Sequence, residues 1–371
     1  MHKIDIARAE DEDLRGIRDL WRLGFGETEE FLDFFFQHCY SRELTLVARD
    51  GGVAAASSQA LPVSLWRRGR ELPSEYIFGV VTHPGRRKLG YAGALMRAAL
   101  AGQYQRGVHV SALIPAEPYL FDVYRKYGFT EAFSISEREV TARALKPAAN
   151  DSGCVLRRFG KGDLPLDPET AEALYGFCAS AYKSGRAADY SLIKGEGDFL
   201  SLAAAFLRFS GDIYAAYRDG RMTACAFVTG ADGPFVYELL GGDEGGADFL
   251  IREILNITGR DRITVKGPPA GPGPAKALGM ARVINARAVL KTLSEGRGLD
   301  IRVSVGDPII RENNAVFRVR DGEAEPVAVA ADLALTIQAL TDFALGYDLD
   351  ADAYLAGRPP LKGYMNLMLN D

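Results

Sequence analysis

The run Val80-Val81-Thr82-His83-Pro84-Gly85-Arg86-Arg87-Lys88-Leu89-Gly90-Tyr91-Ala92-Gly93 carries an apolar strand into a basic, glycine-punctuated turn and then into a helical pattern. Its chemistry suits an anion, and a pyrophosphate in particular. Main-chain N–H groups of a turn and of a first helical turn have no intrahelical acceptors, and the helix dipole adds positive potential at that end. Arg86, Arg87 and Lys88 put formal charge beside those amides. Gly90 and Ala92 keep bulk away from where phosphate oxygens come close, and glycine is free to take dihedrals closed to other residues. The competing reading is a solvated basic cap, since Arg, Lys and Gly before a helix are common punctuation. The dinucleotide fingerprint and the P-loop are not met here: the run has no G-x-G-x-x-G and no glycine loop ending in Gly-Lys-Ser or Gly-Lys-Thr.

The elements around this turn follow from periodicity. Ala94, Leu95, Ala98, Ala99 and Leu100 sit at helical spacing, and Val108, Val110, Ala112 and Ile114 alternate as a strand closed by Pro115. A second short helix runs through Tyr119, Leu120, Val123 and Tyr124 and ends in Tyr127-Gly128-Phe129. Strand, phosphate turn, helix, strand, helix and aromatic-Gly-aromatic in this order resemble the GNAT acyltransferases. Arg87, Gly90 and Ala92 carry that family's R-x-x-G-x-[GA] pattern, with Pro84 three residues upstream. Tyr124 to Phe129 looks like the family's post-strand helix, which holds a tyrosine near the thioester sulfur. The resemblance implies acetyl-CoA as co-substrate, bound by Val80, Val81, Thr82, Arg87, Lys88, Gly90, Tyr91 and Ala92.

Length and composition bound the rest. A chain of 371 residues predicts two or three domains, and 47% hydrophobic with 25% charged residues is ordinary for a globular protein. A net charge of -5 argues against a general nucleic-acid binder, so the basic cluster at 86–88 stands out from an acidic background. Cys39, Cys154, Cys178 and Cys225 contain no C-x-x-C pair, and His2, His38, His83 and His109 show no metal spacing. Neither structural zinc nor a disulfide framework is expected. The first residues lack the apolar core of a secretion signal, and no run reaches the roughly 18 apolar residues needed to span a bilayer. The expectation is a cytoplasmic protein with no metal, no membrane and no nucleic-acid partner.

The pattern along the chain predicts a mixed α+β architecture in three parts. Residues 1–148 form the GNAT-like unit: strand Ile4–Ile6, helices around Leu14–Trp21 and Phe31–Phe36, then a meander reaching Thr82. A Pro147-to-Gly153 linker follows. Residues 149–278 repeat that order in outline, with Asp219-Gly220 as a hairpin turn. At the position of the phosphate turn the repeat reads Gly241-Gly242-Asp243-Glu244-Gly245-Gly246-Ala247-Asp248. Its carboxylates would repel a pyrophosphate, which predicts a degenerate GNAT fold without a cofactor site; the alternative is an unrelated α+β domain. Residues 279–371 open on Met280–Arg287, with a helix carrying Val289, Leu290 and Leu293. Strands at 301–305 and 315–319 and a helix over 333–345 follow, an arrangement similar to sterol carrier protein type 2 domains.

All three parts together resemble the Eis (enhanced intracellular survival) class of aminoglycoside and lysine N-acetyltransferases. Acetyl transfer needs a neutral amine, a stabilised carbonyl oxygen and a proton for the departing thiolate. A lysine-like amine titrates near 10.4, so at pH 7 it must lose a proton to a base. Backbone amides of Val80–Thr82 are the candidate donors to the developing oxyanion. Tyr124 matches the family's general acid, lying four residues before Gly128; a phenol near pKa 10 stays protonated and suits a thiolate of comparable or slightly lower basicity. The alternative is a tyrosine merely packed on its helix. The class threads its terminal carboxylate into the site as base, which here implicates Asp371; its α-carboxylate and side chain compete for the role, and apolar residues at 365, 367 and 369 predict a docked tail. Glu27 falls where the family places an acidic residue at the cleft mouth, although Glu29, Glu30 and Asp33 also make a plain solvated face. The implied substrate is a small-molecule or peptide amine and the implied assembly a homo-oligomer, a trimer or hexamer. Two other activities stay open: a lipid carrier using the last domain, and an N-acyltransferase of longer chains, since N-myristoyltransferases resemble the layout.

Overall fold

The computed structural model describes residues 4–145, 153–186, 188–230, 233–241, 244–269 and 275–365. Contacts divide the chain into two units. One comprises residues 1–65, 70–132 and 279–361, the other 66–69, 133–278 and 362–371.

The N-terminal part of the first unit is built from β1 (Asp5–Arg8), α1 (Leu14–Phe25), α2 (Glu29–His38), β2 (Thr45–Asp50), β3 (Val53–Arg67), β4 (Arg70–Thr82), α3 (Tyr91–Gln105), β5 (Val110–Leu113) and α4 (Pro118–Arg125). Ile17, Leu20 and Trp21 form the buried stripe of α1, which stops at Gly26 in the left-handed conformation, φ 76°. Thr28 caps α2 by accepting from the Phe31 amide at 3.2 Å. The helices meet where Trp21 stacks on Phe35, centroids 4.4 Å apart. The strands order as β1-β2-β3-β4-β5, antiparallel except for the parallel pair β4–β5 joined through α3.

The second unit contains β6 (Thr130–Thr141, from Phe133 onward), β7 (Cys154–Phe159), α5 (Pro168–Lys183), β8 (Tyr190–Lys194), α6 (Glu196–Ala205), β9 (Gly211–Arg218), β10 (Arg221–Thr229), β11 (Val236–Gly241), α7 (Glu244–Thr258) and β12 (Arg262–Gly267). Asp219 and Gly220, at φ 51° and 73°, turn the β9–β10 hairpin as the Asp-Gly pair predicts. The antiparallel run β9-β10-β11, helix α7 and then β12 parallel to β11 repeat β2-β3-β4, α3 and β5 of the first unit. This bears out the expected repetition of the fold.

The chain then returns to the first unit along β13 (Ala275–Val283), which pairs antiparallel with β5 from Met280↔Leu113 to Val283↔Val110. Met280 and its neighbours are therefore strand; α8 (Ala286–Ser294) starts only at the Asn285 cap, whose side chain accepts from the Ala288 amide at 3.0 Å. A separate four-stranded sheet follows, built from β14 (Asp300–Gly306), β15 (Ala315–Arg320), β16 (Glu323–Val327) and β17 (Leu333–Thr336), in the order β16-β15-β14-β17. The helix expected over 333–345 begins later, at α9 (Ile337–Thr341). Leu333–Thr336 instead pairs parallel with β14, because a β-strand partner outweighs local helical spacing. Val289, Leu290 and Leu293 of α8 and Ile337 and Leu340 of α9 are buried as these helices cover the sheet. After α10 (Ala351–Leu355), β18 (Gly363–Met365) belongs to the second unit, parallel to β8 and β6. There the Tyr364 hydroxyl donates to Glu238 at 2.6 Å and the Tyr182 hydroxyl to the same oxygen at 2.8 Å, all three fully or nearly fully buried.

Candidate active site

The site begins where two parallel strands part. β4 and β5 keep register at Ser74↔Val110, Glu75↔Ser111 and Tyr76↔Ala112. Three residues on, Gly79 takes φ 57°, a conformation foreign to a strand. A Cβ there would lie 2.6 Å from the Trp21 ring, so bulk as well as backbone excludes other residues. Val81 still points into the core at 5% exposure, and alternation turns Val80 and Thr82 to the other face. Val80, Val81 and Thr82 form one wall of a cleft of about 480 Å³.

The turn closes the cleft's end. His83 caps it, its Nδ1 accepting from the Gly85 amide at 3.1 Å. Lys88 and Gly90 then adopt φ 66° and 91°, which aims the chain into α3 with the Tyr91 amide leading. Ala94 is the first amide of α3 to bond back, to the Gly90 carbonyl at 3.0 Å, leaving those of Tyr91, Ala92 and Gly93 without intrahelical acceptors. The Tyr91 side chain is core, 3% exposed beside Leu95 and Ala56, so only its backbone serves the cleft. The three cations differ. Arg86 is ion-paired with Asp50, whereas Arg87 and Lys88 are exposed and neither makes an ion pair among the described residues.

The opposite wall is α4. Pro118 sits at its first turn, where a missing N–H costs nothing, and Tyr119, Leu120, Val123 and Tyr124 face the cleft. Burial pushes the Tyr124 phenol up to about 12, with the nearby Tyr119 and Tyr127 phenols adding to the effect. Tyr124 is thus a firmer proton holder than the ordinary phenol expected from sequence. Its ring packs edge-on against Phe129, 6.1 Å between centroids.

Of the residues expected from sequence, Val80, Val81, Thr82, Arg87, Lys88, Gly90, Tyr91, Ala92 and Tyr124 all line this one cleft. Glu27 follows the Gly26 cap beside the rim residues Gly24 and Phe25 but is not among the lining. Asp371 and the expected alternation beyond Met365 lie outside the described residues. Tyr127, which spacing places with Phe129, packs partly buried against the same core cluster as the fully buried Phe129 and also lines the cleft. Its hydroxyl lies where a Cβ on Gly93 would come within 2.6 Å. Met96, one turn into α3, was also missed as a lining residue because helical spacing marks it only as core. Among the described residues no cluster of His, Cys, Asp or Glu suits a metal, and no helix is long and apolar enough to cross a membrane.

Residues 5–132 match the family model of the acetyltransferase (GNAT) domain, and residues 280–358 that of the sterol carrier protein domain. No curated protein matches the sequence at a significant level. Among solved structures, a GCN5-related N-acetyltransferase from Kribbella flavida is 20% identical with TM-score 0.76, covering 98% of this chain and 97% of its own. One from Anabaena variabilis is 17% identical with TM-score 0.78, over 98% and 99%. Eis1 from Mycobacterium abscessus is 16% identical with TM-score 0.72, over 97% and 96%.

Proposed function

We propose that this chain, an acyltransferase carrying a GNAT acetyltransferase domain and a sterol carrier protein domain, moves an acetyl group from acetyl-CoA to a primary amine by direct transfer. One observation carries the reading: free amides at the start of α3, exposed Arg87 and Lys88, and the parted strand Val80–Thr82 meet in one cleft beside a partly buried phenol. The left-handed Gly90 has open space where a Cβ would be, which fits close approach of a pyrophosphate to the main chain.

In this reading Arg87, Lys88 and the amides of Tyr91 and Ala92 bind the diphosphate. The backbone of Val80–Thr82 orients the pantetheine arm and directs a donor at the carbonyl oxygen. Bound acetyl-CoA supplies an activated acyl carbon and a thiolate leaving group. At about 12, the Tyr124 phenol lies far above the roughly 8.5 of a thiol, so it holds the sulfur through a hydrogen bond as charge grows there. The amine's proton goes to a base, for which the resemblance to the Eis class nominates the terminal carboxylate of Asp371. Glu27 is the candidate contact for a cationic substrate at the rim. The same resemblance supports aminoglycosides, polyamines or lysine-like amines as substrates, domains divided near 148 and 278, a cytoplasmic setting and a trimeric or hexameric assembly.

A carrier role draws no support from the last sheet, whose covering helices bury their own apolar side chains against it. The test is calorimetric titration with acetyl-CoA, then a screen of aminoglycosides, polyamines and lysine peptides for CoA release. Wild type should bind and release CoA with at least one amine class. Tyr124→Phe and a variant lacking Asp371 should bind but turn over slowly. Absence of binding by wild type would end the proposal.

A further inference from the structure

Arg282 stands 155 residues after Tyr127 and is fully buried, yet its guanidinium reaches the wall of the cleft. Its Nε donates to the Tyr127 carbonyl at 2.7 Å, its Nη2 to both carboxylate oxygens of Asp307 at 2.8 Å, and its Nη1 to the Val283 carbonyl at 2.9 Å. Asp307 is held in turn. It accepts from the amides of Ile309 and Ile310 at 2.9 and 3.1 Å and from the Asn313 side-chain amide at 2.9 Å. With all three guanidinium nitrogens and both carboxylate oxygens partnered, the pair has one geometry. Buried ion pairs seldom add net stability over apolar packing, so a fixed geometry is the better account of this one.

What it fixes is the end of α4. The Gly128 amide, on the same peptide as the Tyr127 carbonyl, donates to the Arg125 carbonyl at 3.0 Å, so Arg282 grips the peptide that closes the last turn of the helix carrying Tyr124. The next residue, Gly128, has φ 86°, and a Cβ there would lie 2.7 Å from Ile337 and 3.0 Å from Arg282 Nε. Two residues further on, the Thr130 hydroxyl donates to Asp342 at 2.7 Å. Ile337 and Asp342 belong to the segment after β17, so that segment meets the chain just after α4 at Gly128 and Thr130, beside the Arg282 bond to Tyr127.

We infer that the buried Arg282–Asp307 pair is a positioning device through which the sterol-carrier-like segment sets α4, and with it the Tyr124 hydroxyl, against the reacting sulfur. Arg282 is not among the residues lining the cleft and acts through Tyr124. The inference rests on the acetyl-transfer reading above. It gives the C-terminal segment a part in turnover that needs no lipid.

The test is a double-mutant cycle on the full chain. Lysine at 282 keeps a charge for Asp307 but lacks the fork that also reaches Tyr127. Arg282→Lys should lower kcat about tenfold while the Kd for CoA stays within about twofold, since a small misplacement of an acting group slows turnover without weakening binding. In the Tyr124→Phe background the same substitution should change kcat less than about twofold, because the group it positions is gone. Equal losses in both backgrounds would overturn the inference, as would an unchanged kcat in the single variant. Amide hydrogen exchange over residues 118–129 gives a readout independent of activity: it should quicken in Arg282→Lys and not over α1. If wild type transfers no acetyl group, the functional reading fails while exchange still decides whether the clamp exists. Should Arg282→Lys not fold, Asp307→Asn, which keeps the Arg282 side chain, serves in the same cycle.

Discussion

Gly90→Ala isolates the backbone conformation of the phosphate turn from every other contribution. Gly90 sits at φ 91° and ψ 1°, and nothing lies within 4 Å of where a Cβ would be placed. The substitution therefore adds no clash with a neighbour. It adds only the cost of holding an L-residue in left-handed space, about 1–2 kcal/mol. That cost has two outlets. If the turn keeps its shape, the whole protein loses the energy and melts a few degrees lower. If the turn relaxes, the amides of Tyr91 and Ala92 swing off the anion and CoA affinity falls by a factor of about 5–30, at 1.4 kcal/mol per decade. Calorimetric titration with CoA and a thermal melt, run on the same preparation, measure both. The losses should sum to about 1–2 kcal/mol. An alanine variant that binds CoA within about twofold of wild type and melts at the same temperature would refute the assignment of Gly90 to the anion site.

Four further outcomes follow from the same geometry. Because Asp50 already pairs with Arg86 while Arg87 is exposed and makes no ion pair among the described residues, Arg87→Ala should weaken CoA binding several-fold more than Arg86→Ala, as read by titration at low salt. Tyr124→Phe should cut kcat by about a hundredfold or more with little change in CoA affinity, the usual scale for a lost hydrogen-bond donor to developing charge. The same variant tests linkage. A phenol near 10 when unfolded and about 12 when folded favours the native state below pH 10, and that contribution fades as pH rises from 10 toward 12. Tyr124→Phe should flatten this alkaline decline in stability. Finally, Tyr364→Phe removes a phenol donor to buried Glu238 and should destabilise the protein by about 1–3 kcal/mol in denaturant melts.

Much of the site was legible because its signals are local. A left-handed glycine, exposed cations and a helix start lie within seven residues, Arg87 to Gly93, and each acts through the backbone beside it. Tyr124 was legible for the same reason, four residues before Gly128. What escaped depends on partners distant in sequence. Arg86 looks like its neighbours until Asp50 neutralises it from 36 residues away. Tyr127 reads as core by spacing, which its packing bears out, but its place on the cleft depends on Gly93, 34 residues earlier, leaving room for its hydroxyl. Leu333–Thr336 has helical neighbours but meets β14. The pairing of β5 with β13, across some 170 residues, leaves no trace in local periodicity, and neither does the Arg282 clamp that accompanies it.

The central claim is that the turn from Arg87 to Gly93 holds the diphosphate of coenzyme A. A crystal structure of the protein with CoA measures this most directly. The account predicts phosphate oxygens within hydrogen-bond distance of the Tyr91 and Ala92 amides and near Arg87, with the thiol close to the Tyr124 hydroxyl. Coenzyme seated elsewhere, or a turn left bare at saturating coenzyme, would contradict it.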